Sequence, residues 1–462
     1  MNKTKLTLKD FFNLPEAEIF NPDDFKEITS VSIDSRNVSK NSLFIAIKGE
    51  RFDGHDFVNQ VVKKNVSAVM INKDQLKRFQ NLEIPFITVK DTTKSLGDVA
   101  AIWRSKLKTK VIGITGSVGK TTTKEMLYNV LSTKYKVHKT SANNNNHIGV
   151  PLTILSIKQS HQIAVVEQGT NHFGEIKYTS NISKPDLALI TTIGYSHLEF
   201  LINRKGVLKE KSALLDVTDK NGGLVFINND DDLLNNYSRK FRRKTTFGFN
   251  QKSNYQGKIE NVDILGKATI SIKHHNKNFC VKLPFSGEQN AKNFLPVYAI
   301  AKELKLSDNQ ILNGIKKIKS VSKRLEVKKM NDVFIINDSY NANPDSMKAS
   351  LKLLDEMKPG FNKIAILGDM FELGKLSNSL HRDIGKYINN LHINEVYTVG
   401  KFSEQIYKAI DSNVILKNHY KEKRNLIKRL KSKSFKKSVV LIKGSRGMKM
   451  EEVYSVLEEK LK

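Results

Sequence analysis

The run Thr115-Gly116-Ser117-Val118-Gly119-Lys120-Thr121-Thr122 carries the residue types that a polyphosphate needs, in the order it needs them. Glycines let successive backbone N–H groups close around phosphate oxygens, and a helix starting at the lysine adds its positive end. Lys120 brings a full charge, and the Thr121 hydroxyl can reach a Mg²⁺ ion. The general pattern GxxxxGK asks for glycine where this chain has Ile114, so an ordinary glycine turn is the competing reading. Two further side chains can join this chemistry. Glu167 ends the run IAVVE, and His197 follows the run LALITTI. Each alone has a plainer reading, Glu167 as a solvated strand-end acid and His197 as one of 11 histidines. At matching strand ends beside a phosphate loop, the two point to a metal site.

Strands and helices must hold these groups together. VIGIT before the loop reads as a buried strand, and TTTKEMLYNVLSTKY after it has apolar residues at helical spacing. IAVVEQG, LALITTI and GGLVFIN are continuously apolar, as strands buried on both faces of a parallel sheet are. Their carboxyl ends then gather the loop, Glu167 and His197 along one edge. ATISIKHHNKNFCVKLPF breaks the rhythm with two alternating strands around His275 to Lys277, a hairpin in which Cys280 reads as a small core residue. Helical stretches follow from Glu288 to Leu304 and up to Ile318. From Arg324 a second alternation begins, with VFIIND, KIAILGD, EVYTVG and VVLIKGS as strands. Before the loop lies a smaller mixed unit with short strands at Ser42 to Ile47, Ala68 to Ile71 and Pro85 to Val89.

A length of 462 residues excludes one small binding module, and 39% hydrophobic with 27% charged residues excludes a disordered chain. A single cysteine rules out a disulfide scaffold. No apolar run approaches the roughly 18 residues of a membrane span, and the opening MNKTKLTLKDFFNLP has no signal-peptide core, so a cytoplasmic setting is expected. Lys plus Arg outnumber Asp plus Glu by 77 to 47, a net +30 that raises the question of nucleic acid. The lysines are scattered, densest in the helical stretch Lys421 to Lys437, with no stripe of interleaved aromatics. A compositional surplus is therefore expected, with no specific nucleic-acid partner.

Further motifs carry a resemblance. TGSVGKTT, NNNNHIGVPLT (Asn143 to Thr153), EQGTNHFGEI (Glu167 to Ile176), TIGYSHLE (Thr192 to Glu199), NDSYNANPDSM (Asn337 to Met347), LGDMFELG (Leu367 to Gly374) and IKGSRGMKMEE (Ile442 to Glu452) occur in the order found in the Mur ligases. IDSRNVSKNSLFIAIKGERFDGHDF (Ile33 to Phe57) is similar to the family's nucleotide-sugar domain, so the resemblance spans nearly the whole chain. DSYNANP and GDMxELG mark one branch, whereas the phosphate loop is shared with all Mur ligases and with folylpolyglutamate synthase.

The resemblance implies an α/β fold of three domains, with a central P-loop parallel-sheet ATPase domain and a Rossmann-like C-terminal domain. It places a UDP-muramoyl-peptide domain at 1–105, the ATP-binding domain at 106–319, and a domain at 320–462 closing on ATP and the acceptor. It further implies an ATP- and Mg²⁺-dependent amide ligase in peptidoglycan precursor synthesis, acting as a monomer. A UDP-N-acetylmuramoyl-tripeptide would be activated as an acyl phosphate and then attacked by D-alanyl-D-alanine, with no protein nucleophile.

Carried across position by position, Thr115 to Thr122 bind the phosphates; Thr121, Glu167 and His197 hold metal; and Lys211 becomes a CO₂-derived carbamate for a second Mg²⁺. Lys209 competes for that role, but residues two apart on a helix face nearly opposite sides. Asn290 and Asn293 match adenine contacts, Arg324 a phosphate contact, Asp338 a ribose contact, and Ser35, Arg36, Asn145 and Asn146 contacts to the muramoyl nucleotide. His381 and Lys443 to Arg446 also fall on family positions, as substrate contacts or as structural support. The chain departs from the family at Phe200 to Arg204, where a glycine-containing turn is usual, and at Ala213 and Gln289. Such a turn without glycine is expected to disturb His197 or the start of the helix bearing Lys211. Two rival readings follow: a Mur-type ligase of other specificity, and a nucleotide-binding paralogue impaired in catalysis.

Overall fold

A computed structural model describes residues 4–462, so residues 1–3 of the opening segment lie outside the description. Its α/β architecture rests on three sheets. The first contains β1 (Glu18–Phe20), β2 (Ser30–Ser32), β3 (Ser42–Ile45), β4 (Ala68–Asn72) and β5 (Phe86–Val89), in the order β1-β5-β4-β3-β2. The second contains β6 (Lys110–Thr115), β7 (Val137–Lys139), β8 (Ile163–Glu167), β9 (Leu187–Ile190), β10 (Leu224–Asn228), β11 (Lys244–Gly248), β12 (Tyr255–Val262), β13 (Lys267–His274) and β14 (Lys277–Ser286). Its order is β14-β13-β12-β11-β10-β9-β6-β8-β7, parallel from β7 through β12 and antiparallel beyond. The third, Rossmann-like, contains β15 (Glu326–Met330), β16 (Val333–Asp338), β17 (Asn362–Gly368), β18 (Glu395–Val399), β19 (Leu416–Tyr420) and β20 (Ser438–Lys443), in the order β15-β16-β20-β17-β18-β19.

The second sheet reverses its winding at β6, which lies between β8 and β9. Crevices outside such a reversal are where doubly wound sheets bind ligands. Register finishes the placement. Ile114 of β6 pairs with Glu167 of β8, and Thr115 with Ile190 of β9, so the residues following all three strands share one edge. In the third sheet Asp338 of β16 pairs with Lys443 of β20, and Leu367 of β17 with Lys443, which gathers a second set of polar residues at that sheet's carboxyl edge.

The three units share cores. Leu43, Ile45, Met70 and Ile87 of the first sheet pack in one cluster with Val111, Val150, Ile154 and Val166 of the second unit. At that junction Trp103, on the helix Thr92–Ser105, is fully buried and donates Nε1–H to Ile157 O at 2.9 Å. Emptying such an indole site costs about 3–5 kcal/mol, so the first unit is packed firmly against the second. A second cluster joins Ile190, Leu198 and Leu214 to Phe334, Met347 and Met370 of the third unit. No helix among the described residues is long and apolar enough to cross a membrane.

Two expectations need correction. Cys280 is exposed, because on β14 the period of two turns Phe279 and Val281 inward and the residue between them outward. The basic stretch Lys421 to Lys437 is helical only over Lys423–Ser432.

Candidate active site

The phosphate loop bridges β6 and the helix Lys120–Leu131. Gly119 sits at φ 88°, and a Cβ there would lie 2.2 Å from Asn293 Oδ1, so both backbone angle and space demand glycine. Gly116 meets the same limit, since a Cβ on it would fall 1.9 Å from the Thr191 hydroxyl oxygen. Ser117 N–H donates to Thr192 O at 2.9 Å, and Lys120 Nζ spans the loop to Gly116 O at 2.7 Å. Burial lowers the Lys120 pKa, partly opposed by Glu167. Ser117 to Thr122 line a cavity of about 420 Å³ together with Asn145, Glu167, His197, Asn290, Asn293, Arg324 and Asp338.

Glu167 is buried at the end of β8, where its Oε1 accepts from Thr121 Oγ1 at 3.1 Å and Asn145 Nδ2 at 2.9 Å. Its Oε2 is buried without a hydrogen-bond partner, faced by Lys124 Nζ at 3.4 Å. That oxygen is ion-paired with Lys124 but not hydrogen-bonded, so it keeps lone pairs that a metal ion can use. His197 has φ 54° and its Nδ1 lies 2.6 Å from Glu372 Oε2, without the alignment of a hydrogen bond. Burial pushes the His197 pKa down, favouring the neutral ring whose free nitrogen can ligate metal. Among the described residues no three His, Cys, Asp or Glu side chains gather into a metal-holding group. A Mg²⁺ here would draw its remaining oxygens from phosphates and water, as this ion commonly does.

Lys211 and Lys209 separate cleanly on the helix Arg204–Lys220. Lys211 is wholly buried and its Nζ has no hydrogen-bond partner; burial first, then Lys120, holds its pKa well below the usual lysine range. Lys209 is exposed, its Nζ 5.6 Å from the Phe173 ring centre. Between them Glu210 is buried and accepts from Gly174 N at 2.7 Å, Ile176 N at 2.7 Å and Thr170 Oγ1 at 3.2 Å. It thereby places a negative charge at the start of the helix Glu175–Ser183. Glu210→Ala leaves the buried Ile176 N–H without an acceptor and removes the one that Gly174 N–H uses, and is expected to destabilise the protein by about 1–3 kcal/mol. A urea midpoint unchanged from the parent would refute that role.

The third unit closes the cavity from the other side. Asp338 Oδ1 accepts from Leu325 N at 3.1 Å, while Oδ2 accepts from Ser350 Oγ at 2.6 Å and from Lys443 Nζ, so both oxygens are committed. Arg324 and Arg446 both stack on Tyr340, at 4.0 and 5.0 Å from the ring centre. His381 is fully buried, accepts from Met370 N at 2.9 Å and donates to Ser377 O at 2.7 Å. It does not line the cavity and supports the loop that does. Asn343 Nδ2 donates to Ser117 O at 3.2 Å and Tyr195 N to Asp345 Oδ2 at 2.9 Å, which ties the NDSYNANPDSM segment to the second unit.

Of the other sequence-derived positions, Ser35, Arg36 and Asn146 lie outside the cavity, whereas Asn290 lines it. Ser35 and Arg36 sit on a short turn of the first unit, where Arg36 pairs with Asp34 at 2.9 Å, and neither lines this cavity. Asn146 Oδ1 accepts from Gly149 N at 2.8 Å at the start of the helix Gly149–Leu155. Asn290 Nδ2 donates to Ser286 O at 2.7 Å. The turn without glycine is formed by a γ-turn at Ile202, φ 71° and ψ −57°, with Asn203 N–H donating to Leu201 O at 2.8 Å. Such a backbone costs about 1–3 kcal/mol. The start of the next helix is nonetheless formed, since Asn203 Oδ1 caps it through Gly206 N at 3.0 Å.

Sequence reading missed Lys124, Glu210 and Glu372. Lys124 follows Lys120 by one helical turn, a spacing that already puts both on one face. Glu372 has φ 62°, a placement with no sequence signal of its own.

A phosphate loop at the reversal of a parallel sheet, with a cavity between it and a second α/β unit, defines a P-loop α/β enzyme. The Mur ligase middle domain matches residues 114–301, the Mur ligase glutamate ligase domain residues 323–446, and the Mur ligase family catalytic domain residues 27–104. The chain belongs to the Mur ligase family. It is 36% identical to the UDP-N-acetylmuramoyl-tripeptide–D-alanyl-D-alanine ligase of Bacillus subtilis, over 98% of this chain and 99% of that one. Identity to the enzyme of that name from Escherichia coli is 33%, over 94% of each chain. The crystal structure of MurF from Acinetobacter baumannii superposes with a TM-score of 0.88 at 30% identity, covering 99% of this chain and 100% of that one. MurF ligase from Thermotoga maritima in complex with ADP gives 0.81 at 28% identity, covering 94% and 97%.

Proposed function

We infer that this chain is an ATP-dependent ligase that joins D-alanyl-D-alanine to UDP-N-acetylmuramoyl-tripeptide in peptidoglycan precursor synthesis. The observation that carries this reading is full-length likeness to ligases of that name, with Lys120, Glu167, His197 and Lys211 all present. A carboxylate is a poor electrophile, which is why ATP is spent. An oxygen of the tripeptide carboxylate attacks the γ-phosphorus, ADP leaves, and an acyl phosphate forms. The dipeptide's ammonium first loses a proton to become the nucleophilic amine, which adds to the acyl carbon; inorganic phosphate leaves, and the nitrogen gives up a second proton as the amide forms.

The protein's part is positioning and charge. Lys120 and the loop N–H groups neutralise the transferring phosphoryl group, and Arg324 adds a second cation from the third unit. Magnesium, when bound, would supply further neutralisation, held by Thr121, Glu167 and His197, with Lys211 as its carbamate. The buried Glu167 Oε2, ion-paired but without a hydrogen bond, and the unpartnered Lys211 Nζ support both assignments. Asn290, Asn293 and Asp338 are assigned to the adenosine, and Ser35, Arg36, Asn145 and Asn146 to the muramoyl nucleotide. We read 1–105, 106–319 and 320–462 as the corresponding domains. One copy contains the whole cavity, in keeping with a monomer, and the substrates imply a cytoplasmic site of action.

ADP release by the purified protein should require the muropeptide and be completed by D-alanyl-D-alanine. Equal release without either substrate, or full replacement of the dipeptide by a single amino acid, would overturn the assignment.

A further inference from the structure

The acids lining the cavity are Glu167, Asp338 and Glu372. Glu167 lies at the phosphate loop, bonded to Thr121 and Asn145. Asp338 has both oxygens committed to Leu325, Ser350 and Lys443. Glu372 remains. Its side chain is 40% exposed, and its one close side-chain partner among the described residues is the His197 ring, whose Nδ1 lies 2.6 Å from Oε2; Oε1 is left without a protein partner there. It is also held in a left-handed conformation, φ 62°, that a glutamate does not adopt freely.

The loop around Glu372 is fixed at successive residues. Met370 N donates to His381 Nε2 at 2.9 Å, Phe371 N to Ser445 Oγ at 2.8 Å, and Glu199 N to Glu372 O at 3.0 Å. Backbone strain of this sort persists where surrounding bonds over-determine it, and it gathers at ligand clamps. Ser445 links this loop to Arg446, the next residue along. Arg446 stacks on Tyr340, has no ion-pair partner among the described residues, and lines the same cavity. Arg324, the other guanidinium there without an ion-pair partner, is assigned above to the phosphoryl group. Phe371 packs beside Gly447 and is 38% exposed, giving an apolar surface next to these charges.

We propose that Glu372 and Arg446 hold the two ends of the incoming zwitterionic dipeptide, Glu372 its ammonium and Arg446 its carboxylate, with Phe371 against its methyl groups. This rests on the ligase reading above. It assigns the acceptor's charges to two loops pinned together through Ser445, and leaves the phosphate-loop groups to the nucleotide.

The test uses the full chain with ATP and UDP-muramoyl tripeptide, offering either D-alanyl-D-alanine or hydroxylamine. Hydroxylamine is small and neutral, so it captures the acyl phosphate without needing either charge. For Glu372→Gln, the ratio of hydroxamate to peptide product at limiting dipeptide should rise about tenfold to a hundredfold, chiefly through KM for the dipeptide. For Arg446→Gln the same rise is expected, and D-alanyl-D-alaninamide, which lacks the carboxylate, should lose its handicap relative to the dipeptide. Hydroxamate and peptide falling in step in both variants would reduce the two residues to structural support and overturn the proposal. So would an unchanged dipeptide KM. If the parent protein forms no hydroxamate at all, the ligase reading itself fails, and this assignment with it.

Discussion

Lys120→Ala is expected to cut ligase turnover by about a thousandfold while leaving the fold intact. The asymmetry follows from what Lys120 touches. Its ammonium makes one hydrogen bond, to Gly116 O, and packs into no core cluster. Losing that bond costs only about 0.5–1.5 kcal/mol. In the phosphoryl transfer, by contrast, the same charge faces an anion that gathers negative charge in a partly dry cavity, where each fixed cation counts for more than in water. Steady-state ADP release and a urea titration on the same preparation check both halves. Activity within tenfold of the parent would remove Lys120 from the chemistry, and a collapsed urea midpoint would make it structural.

The second large effect sets Lys211 against Lys209. Lys211→Ala should lose about a hundredfold or more of turnover, and a short carboxylic acid should restore part of it by standing in for the carbamate. Lys209→Ala should stay close to the parent. The neutral amine is the species that reacts with CO₂, and burial holds Lys211 toward that form. Stability gives an independent readout. A buried ammonium without a partner is costly, so Lys211→Met should melt no lower than the parent lacking the carbamate, even as activity disappears. Equal tolerance of the two alanine variants, or no labelled-CO₂ adduct lost with Lys211, would reject the carbamate.

Strands that continuous apolar runs revealed, such as β6 from Val111 on, β8, β9 and β20, are buried, since a parallel sheet covered on both faces leaves no polar alternation to obscure them. Those that escaped notice are short or polar. β7 is Val-His-Lys, and β19 reads Leu-Lys-Asn-His-Tyr at a sheet edge, where one side is left to solvent. The candidate site divides similarly. Strand and loop grammar placed the phosphate loop, Glu167 and His197 at one edge, because register in a parallel sheet carries that information. Family resemblance supplied Lys211, and helical geometry separated it from Lys209. Glu210 and Glu372 were out of reach, as each matters through partners distant in sequence that only tertiary packing brings close.

The chain's one tryptophan is Trp103, sealed between the first and second units. Intrinsic indole emission from this protein is therefore a local gauge. A red shift during denaturation dates the parting of those two units and is silent about the third. Changes confined to the third unit will pass unseen by the same signal, so optical studies of that unit need a reporter introduced on the C-terminal side.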